Sequence, residues 1–299
     1  MQLQRAAGRA QGWVGRRMVV RATAVATRPS VSGRMAELKA QKKVAFIPFL
    51  CAGDPDLETT AEALKRLDAL GADVIELGVP YSDPLADGPT IHSAATRALM
   101  KGTTLDAVVG MVRQVAPQLK APLVLFTYFN PILRKGLDKF CVMIKEAGAS
   151  GLLVPDIPLE ETGAVRAACE AAGIELVLLA TPTTPKQRMA DIARASQGFV
   201  YLVSVTGVTG VQERVQARVE GLIDLLHSVT DKSIAVGFGV SRPEQAKQIV
   251  EWGAEGVICG SALVRALGEA KSPAEGLDSM EALAKSLRGA ITDATDARS

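Results

Sequence analysis

The chain has 299 residues, of which 48% are hydrophobic and 4% aromatic, and 27 are glycines. This length suits one large α/β domain or two ordinary ones, and the scarcity of aromatic side chains disfavours a protein that stacks nucleic-acid bases. The formal net charge of +2 hides an asymmetry: seven arginines and no acid lie in residues 1–34, so 27 basic side chains remain against 32 carboxylates in the rest of the chain. A mildly acidic body disfavours a nucleic-acid partner.

The segment 1–34 is basic, free of acids and rich in alanine, valine and arginine. Such a composition is typical of organellar transit peptides, and the lack of a continuous apolar stretch disfavours a secretory signal. The sequence V-V-R-A at 19–22 resembles a plastid-type processing site. We therefore expect the chloroplast stroma as the location after removal of a transit peptide, with the mitochondrion second and a disordered basic tail as the alternative. The sequence has no run of 18 apolar residues that would predict a membrane span.

The four cysteines and two histidines limit the chemistry available. Cys51, Cys141, Cys169 and Cys259 have no Cys-x-x-Cys spacing and are typical of small apolar residues in a reducing compartment. With two histidines in the whole chain (92 and 227), a histidine zinc site or a Ser-His-Asp triad has almost no candidates. We expect no metal in this chain.

From residue 43 onward, eight short apolar runs alternate with helical patterns. The runs lie at 44–50, 74–77, 123–126, 151–154, 175–179, 199–203, 234–236 and 256–258. Most are continuous rather than alternating, as expected of parallel strands that are buried on both faces. Helical periodicity occurs at 59–70, 105–115, 137–147, 160–172, 186–195, 215–229, 243–252, 261–267 and 277–287.

This alternation predicts a single α/β domain over residues 35–299, a (β/α)8 TIM barrel. A doubly wound open sheet is the alternative. The count of eight units and the absence of G-x-G-x-x-G after the first strand favour the barrel. In such a barrel the chemistry lies at the carboxyl ends of the strands and in the loops that follow them.

Three glycine-rich segments follow the last three predicted strands: S-V-T-G-V-T-G at 204–210, G-F-G-V-S at 237–241 and C-G-S-A at 259–262. A single glycine there is usually only a turn. Together they occupy the positions where barrels bind phosphate with backbone N–H groups and a helix N-terminus. They predict a phosphate site that also uses the hydroxyl of Ser261 and contains no Arg or Lys.

The carboxylates of residues 76–89 form the second candidate site. Glu76 stands inside an apolar strand, where it either is paired with a distant cation or points to the catalytic rim with a raised pKa. Asp83 and Asp87 have the alternative of ordinary turn chemistry, and Tyr201 that of a core residue. None of the predicted strands contains a lysine, which disfavours a Schiff-base aldolase.

Several motifs resemble one known family over residues 34 to the end. They are F-I-P-F at 46–49 with G-D-P at 53–55, E-L-G-V-P-Y-S-D-P-L-A-D-G-P at 76–89, Tyr201 with G-V-T-G at 207–210, G-F-G at 237–239, and Gly260 with Ser261. These motifs are similar to those of the tryptophan synthase alpha chain. The resemblance implies a lyase that cleaves indole-3-glycerol phosphate to indole and glyceraldehyde 3-phosphate in tryptophan biosynthesis.

The resemblance also implies a role for each matching residue. Glu76 is expected to move protons for C3 of the indole ring and for the glycerol hydroxyl, Asp87 to bind the indole N–H, and Tyr201 to lie beside the catalytic carboxylate. The phosphate pocket is expected from Gly210, Gly237, Phe238, Gly239, Gly260 and Ser261, and the indole wall from Phe49, Tyr128 and Leu153. A mobile lid is expected over residues 203–215, with Gly207, Thr209 and Gly210 in it.

The family's alpha chain docks on a beta chain, usually in an alpha2-beta2 heterotetramer, and the beta chain carries the pyridoxal phosphate. The residues that match this interface are Pro80, Asp83, Asn130 and Pro158, and no cofactor is expected in this chain. Val205 stands where some members have an arginine, which puts a lid contact of that arginine in doubt. Two alternatives stay open: a stand-alone lyase that releases free indole, and a non-catalytic phosphate-binding scaffold.

Overall fold

The structure, a computed structural model, describes residues 30–203, 212–237 and 239–298. Eight parallel strands follow one another around a closed barrel, so the predicted (β/α)8 fold is confirmed. The strands are β1 Ala45–Cys51, β2 Ile75–Gly78, β3 Leu123–Phe126, β4 Gly151–Leu153, β5 Glu175–Ala180, β6 Val200–Val203, β7 Ile234–Gly237 and β8 Gly256–Cys259. Each predicted run lies within one or two residues of an observed strand.

Helices cover the outside of the barrel. They are α1 Val31–Ala40, α2 Leu57–Ala69, α3 Pro89–Met100, α4 Leu105–Val115, α5 Phe129–Lys135, α6 Leu137–Ala147, α7 Thr162–Ala172, α8 Lys186–Ala195, α9 Gln212–His227, α10 Pro243–Glu251, α11 Ser261–Gly268 and α12 Pro273–Arg298. Periodicity predicts the bounds of α4, α6 and α8 to the residue, whereas α1, α3 and α5 were not predicted. Among the described residues, no helix is long and apolar enough to cross a membrane.

Two layers of apolar side chains account for the continuous hydrophobic runs. Alternate residues of each strand, such as Ile47 and Phe49 of β1, pack in the barrel interior, while their neighbours Phe46 and Leu50 pack against the helices. A side chain on a parallel strand of this fold is therefore buried whichever way it points. The same alternation decides the orientation of Glu76, because Ile75 and Leu77 belong to the outer layer.

Helix α1 closes the amino-terminal end of the barrel. The side chains of Val31, Met35 and Leu38 are buried in the same cluster as the barrel interior. Arg34 binds Asp73, the buried carboxylate just before β2, with a contact of 2.6 Å, and Arg288 of α12 reaches the same carboxylate at 2.9 Å. Residues 31–34, which the sequence analysis assigned to the basic segment before the barrel, are thus part of the barrel unit.

Candidate active site at the carboxyl ends of the strands

A cavity of about 520 Å³ opens at the carboxyl ends of the strands. This is the end of a barrel at which the loops after the strands assemble catalytic groups. Its lining combines carboxylates, aromatic and aliphatic side chains, and glycines. The lining residues are Phe49, Glu76, Asp87, Gly88, Ile91, Phe126, Tyr201, Gly239, Ile258, Gly260 and Ser261. Seven of these residues were predicted as site residues from the sequence.

Glu76 is fully buried in the barrel interior. In the sheet it lies between Phe49 of β1 and Val124 of β3, so its surroundings are apolar. Neither carboxyl oxygen has a hydrogen-bond partner among the described residues. Desolvation alone raises the pKa of Glu76 from 4.5 to about 8. The carboxyl is therefore protonated at neutral pH, and it is available to give a proton to a molecule that enters the cavity.

Tyr201 projects from β6 into the same cavity. A Cβ atom added to Gly237 would lie 2.4 Å from the Tyr201 hydroxyl oxygen, so glycine at the end of β7 makes room for that hydroxyl. Burial, together with the negative charge that Glu76 carries when ionised, raises the pKa of Tyr201 well above its ordinary value. Tyr201 is hence a neutral hydroxyl near the carboxyl of Glu76.

Asp87 reaches the cavity from the loop between β2 and α3. It lies two residues before the start of α3, and its N–H donates to the carbonyl of Pro84 at 3.3 Å. Burial raises the pKa of Asp87 from 3.8 to about 6, while the nearby hydroxyl of Tyr128 and the charge of His92 oppose this rise. At neutral pH the structure thus holds one protonated carboxyl, Glu76, and one carboxylate, Asp87, in a single cavity. Two acids separated in this way can take different roles in a reaction.

Aromatic rings form one wall of the cavity. The rings of Phe49 and Phe126 meet edge to face at a centroid distance of 5.6 Å. Phe49 fits because Gly78, the last residue of β2, has no side chain: a Cβ atom there would lie 2.6 Å from the Phe49 ring. Tyr128 and Leu153 belong to the same buried cluster but stand behind the lining residues. A flat apolar wall of this kind suits an aromatic ring system.

Glycines and a serine form another part of the lining, beside the ring of Phe49: a Cβ atom added to Gly260 would lie 3.4 Å from that ring. Gly239 has a positive φ of 83°, a conformation that favours glycine, and Gly260 caps the amino end of α11, which starts at Ser261. These residues line the cavity, as expected for an anion site made of N–H groups and a hydroxyl. Gly237 does not line it and instead lies beneath the Tyr201 hydroxyl. Phe238 and Gly210, also predicted for this pocket, lie outside the described residues.

Four lining residues were not predicted from the sequence: Gly88, Ile91, Phe126 and Ile258. Phe126 ends β3 and Ile258 is the penultimate residue of β8, so their place at the catalytic end of a strand was a usable signal. Ile91 could not be predicted as a site residue, because α3, the helix that carries it, was not predicted.

Comparison with known proteins agrees with this site. Residues 35–292 match the family model described as tryptophan synthase alpha chain. The tryptophan synthase alpha chain of Arabidopsis thaliana is 56% identical over 261 residues, which is 87% of this chain and 95% of that protein. That of a Picosynechococcus species is 57% identical over 262 residues, covering 88% and 99% of the two chains. The chain belongs to the tryptophan synthase alpha chain family.

Solved structures support the same assignment. The alpha subunit from Legionella pneumophila superposes with a TM-score of 0.81 at 35% identity, covering 89% of this chain and all of that chain. A chain of the Pyrococcus furiosus tryptophan synthase a2b2 complex has a TM-score of 0.77 at 39% identity, with coverages of 83% and 99%. The family's reaction is the lyase cleavage of indole-3-glycerol phosphate in tryptophan biosynthesis, and this chain is an enzyme of that class.

The predicted lid of this family member lies mostly outside the described residues. Gly207, Thr209 and Val205 fall in the segment 204–211, of which the structure describes nothing. Helix α9 begins at Gln212, so the last residues of the predicted lid, 212–215, are helical instead.

The residues predicted to meet a beta chain differ in exposure. Asp83, Asn130 and Pro158 are exposed in the loops and helix start that follow β2, β3 and β4. Pro80, in contrast, is buried at the base of its loop. Its burial fits a residue that shapes the loop and not one that presents a surface. Leu85 was not predicted, yet it is 91% exposed on the same loop as Asp83.

Proposed function

We propose that Glu76 carries the protons of the lyase reaction. The observation that supports this role is a fully buried carboxyl without a hydrogen-bond partner in the described chain, lining a cavity at the catalytic end of the barrel. Leaving such a group unpaired is unfavourable unless a substrate uses it. In its neutral form Glu76 gives its proton to C3 of the indole ring, which turns the ring into an electron sink.

The carboxylate left by this step can take up a second proton. As the bond between C3 and the glycerol chain breaks, its electron pair returns to the indole ring, and Glu76 accepts the proton of the adjacent glycerol hydroxyl. The products are indole and an aldehyde, and Glu76 is neutral again. The neutral hydroxyl of Tyr201 interacts electrostatically with Glu76, and its dipole would lower the energy of the transient Glu76 carboxylate.

Asp87 is the second group that we assign. Protonation at C3 places a positive charge on the ring nitrogen, and a carboxylate beside the N–H stabilises that charge. The pKa of Asp87, raised only to about 6, keeps this group ionised at neutral pH. Its loop position at the cavity mouth and the aromatic wall of Phe49 and Phe126 would orient the indole ring toward Glu76.

The phosphate of the substrate would lie on Gly239, Gly260 and Ser261. Backbone N–H groups at the start of α11 and the positive-φ turn at Gly239 provide donors without a charged side chain. With the phosphate there and the indole ring on Phe49 and Phe126, the glycerol chain that joins them would lie in the same cavity that Glu76 lines.

A beta chain with pyridoxal phosphate is the partner that we propose. The Pyrococcus furiosus relative is described in an a2b2 complex. On this chain the exposed residues Asp83, Leu85, Asn130 and Pro158 share the rim around the cavity. Leu85, which is 91% exposed, adds an apolar side chain to this rim. Indole released at this rim would pass directly into the partner.

We also propose that residues 1–29 include a plastid transit peptide and that the enzyme acts in the chloroplast stroma. The seven arginines and absence of acids in 1–34 support this, as does the similarity to a plant protein. Fusion of residues 1–29 to a fluorescent protein, expressed in plant cells, would accumulate in plastids. Accumulation in mitochondria or in the cytosol would contradict the proposal.

The direct test of function is the release of indole from indole-3-glycerol phosphate by the purified chain, with and without a beta chain. Equimolar indole and glyceraldehyde 3-phosphate, at a rate that rises when the beta chain is added, would support the synthase subunit. Fast release without the beta chain would instead support the stand-alone lyase. If neither product forms under either condition, while phosphate still binds, the chain is a scaffold and the proposed catalysis is wrong.

A further inference from the structure

The loop that carries Asp87 is fastened to the barrel by its neighbour. Within the described chain, two hydrogen bonds join residues 80–86 to other parts of the barrel: one goes to Tyr128, between β3 and α5, and the other to Asn130 in the first turn of α5. In the first, the N–H of Ala86 donates to the hydroxyl oxygen of Tyr128 at 3.1 Å. The same hydroxyl lies close enough to the Asp87 carboxylate to lower the pKa of that acid, so Tyr128 holds the loop backbone beside Asp87.

Tyr81 makes the second hydrogen bond and packs on Tyr128. The rings of Tyr81 and Tyr128 are stacked, with centroids 5.1 Å apart and planes inclined by 26°. The hydroxyl oxygen of Tyr81 accepts from the side-chain amide of Asn130 at 3.1 Å. Asn130 is itself in the first turn of α5, the start of which is fixed because Asp156 accepts from the N–H of Phe129 at 2.9 Å.

Tyr128 is therefore enclosed by two rings. The ring of Phe126 meets the ring of Tyr128 edge to face, with their centroids 6.5 Å apart, and the ring of Tyr81 stacks on a face of Tyr128. A tyrosine ring packed in this way keeps its side-chain torsions, and hence the position of its hydroxyl. Since that hydroxyl holds the N–H of Ala86, the residue directly before Asp87, the position of the carboxylate depends on the ring of Tyr81.

We propose that Tyr81, a residue without an assigned role, is a positioning residue for Asp87. It acts through Tyr128, and Asn130 fixes its own orientation. The inference rests on the proposed role of Asp87 beside the indole nitrogen. Positioning matters here because displacement of a catalytic group by about 1 Å can reduce a rate by about a hundredfold.

The proposal also predicts the direction of a pH effect. The groups that act on Asp87 are the hydroxyl of Tyr128, which lowers its pKa, and His92, which lowers it as well. Cys51 is a neighbour and feels the charge of Asp87. Loosening Tyr128 moves its hydroxyl away from the carboxylate, so the pKa of Asp87 rises and the acid limb of the pH profile moves to higher pH. A residue that only supports the fold would not move this limb.

The experiment compares Tyr81→Ala, which removes the ring stack and the bond to Asn130, with Tyr81→Phe, which removes the bond alone. Ser82→Ala is the matched control, because this neighbouring exposed hydroxyl bonds only Asp83 among the described residues. Indole release is measured with saturating beta chain over a range of pH. We expect Tyr81→Ala to lower kcat by about ten- to hundredfold. KM should change less than kcat, and the acid limb of the pH profile should move to higher pH. Tyr81→Phe should lower kcat by about two- to tenfold and move the limb in the same direction.

Three outcomes are decisive. If Tyr81→Ala is folded by circular dichroism and has the kcat and acid limb of the wild type, Tyr81 does not position Asp87. If Tyr81→Ala fails to fold, the isosteric Tyr81→Phe decides, and an unchanged kcat and acid limb in that variant would overturn the proposal. If the wild type itself releases no indole, the proposed function fails, which is a separate result from any effect of Tyr81.

Discussion

Replacing Glu76 by glutamine should stabilise the protein while removing its activity. Burial raises the pKa of Glu76 from 4.5 to about 8, so the folded chain keeps a proton that the unfolded chain releases at neutral pH. A carboxyl with a raised pKa makes stability fall as the pH rises from the unfolded pKa, and the loss levels off above the folded pKa. With these two pKa values, the glutamate lowers the free energy of unfolding by about 1 kcal/mol at pH 5, about 3 kcal/mol at pH 7 and about 4 kcal/mol at pH 8.

Glutamine has the same shape and the same number of polar side-chain atoms as the protonated glutamate, but it does not titrate. The free energy of unfolding of Glu76→Gln should therefore exceed that of the wild type by an amount that grows from about 1 kcal/mol at pH 5 to about 4 kcal/mol at pH 8. Urea unfolding followed by circular dichroism at pH 5, 7 and 8 measures the difference. The control is Glu146→Gln on the exposed face of α6, for which no growing difference is expected. A difference between Glu76→Gln and wild type that stays constant over this range would show that the folded protein does not raise the pKa of Glu76.

Three further results are expected. Activity measured as indole release should follow a bell-shaped pH profile. Activity should be lost as the pH falls through about 6, where Asp87 gains a proton, and as the pH rises through about 8, where Glu76 loses one. A profile that is flat over pH 5 to 9 would contradict these roles. Gly237→Ala should lower kcat by about tenfold or more, because the added Cβ would displace the Tyr201 hydroxyl. The control is Gly110→Ala, where the added Cβ enters open space and kcat should not change. Indole release by both variants measures the difference. Deleting residues 1–40 should lower the melting temperature by at least about 5 °C, because α1 buries an apolar face at the amino-terminal end of the barrel. A deletion that ends before α1 should leave the melting temperature unchanged. Equal melting temperatures for the two deletions would show that α1 is dispensable.

The barrel was predictable because most of its strands are short apolar runs separated by periodic helices. The helices that were missed have specific reasons. Helix α1 has its apolar positions at Val31, Met35 and Leu38 interrupted by basic residues and a glycine, in a segment read as pre-barrel. Helix α3 follows the turn pair Asp87-Gly88, and α5 contains a proline in its first turn, where proline is tolerated.

The site was predictable in part. The strand pattern alone showed that a carboxylate at Glu76 was exceptional, but a continuous run does not reveal which face a side chain occupies, and pairing with neighbouring strands was needed to place it inside. Asp87 has no local signal beyond a turn, so its assignment came from the family motif. The stack of Tyr81 on Tyr128 joins two loops that are far apart in sequence, and no pattern along one chain segment indicates such a contact.

The central claim is that Glu76 moves the protons of the lyase reaction. The most direct test is to measure kcat for indole release by Glu76→Gln and by wild type with the beta chain present, together with the affinity of each for glyceraldehyde 3-phosphate. We expect kcat to fall by about 10² to 10⁴-fold, the usual contribution of a positioned acid or base, while the affinity for glyceraldehyde 3-phosphate is retained. Turnover by Glu76→Gln at the wild-type rate would contradict it.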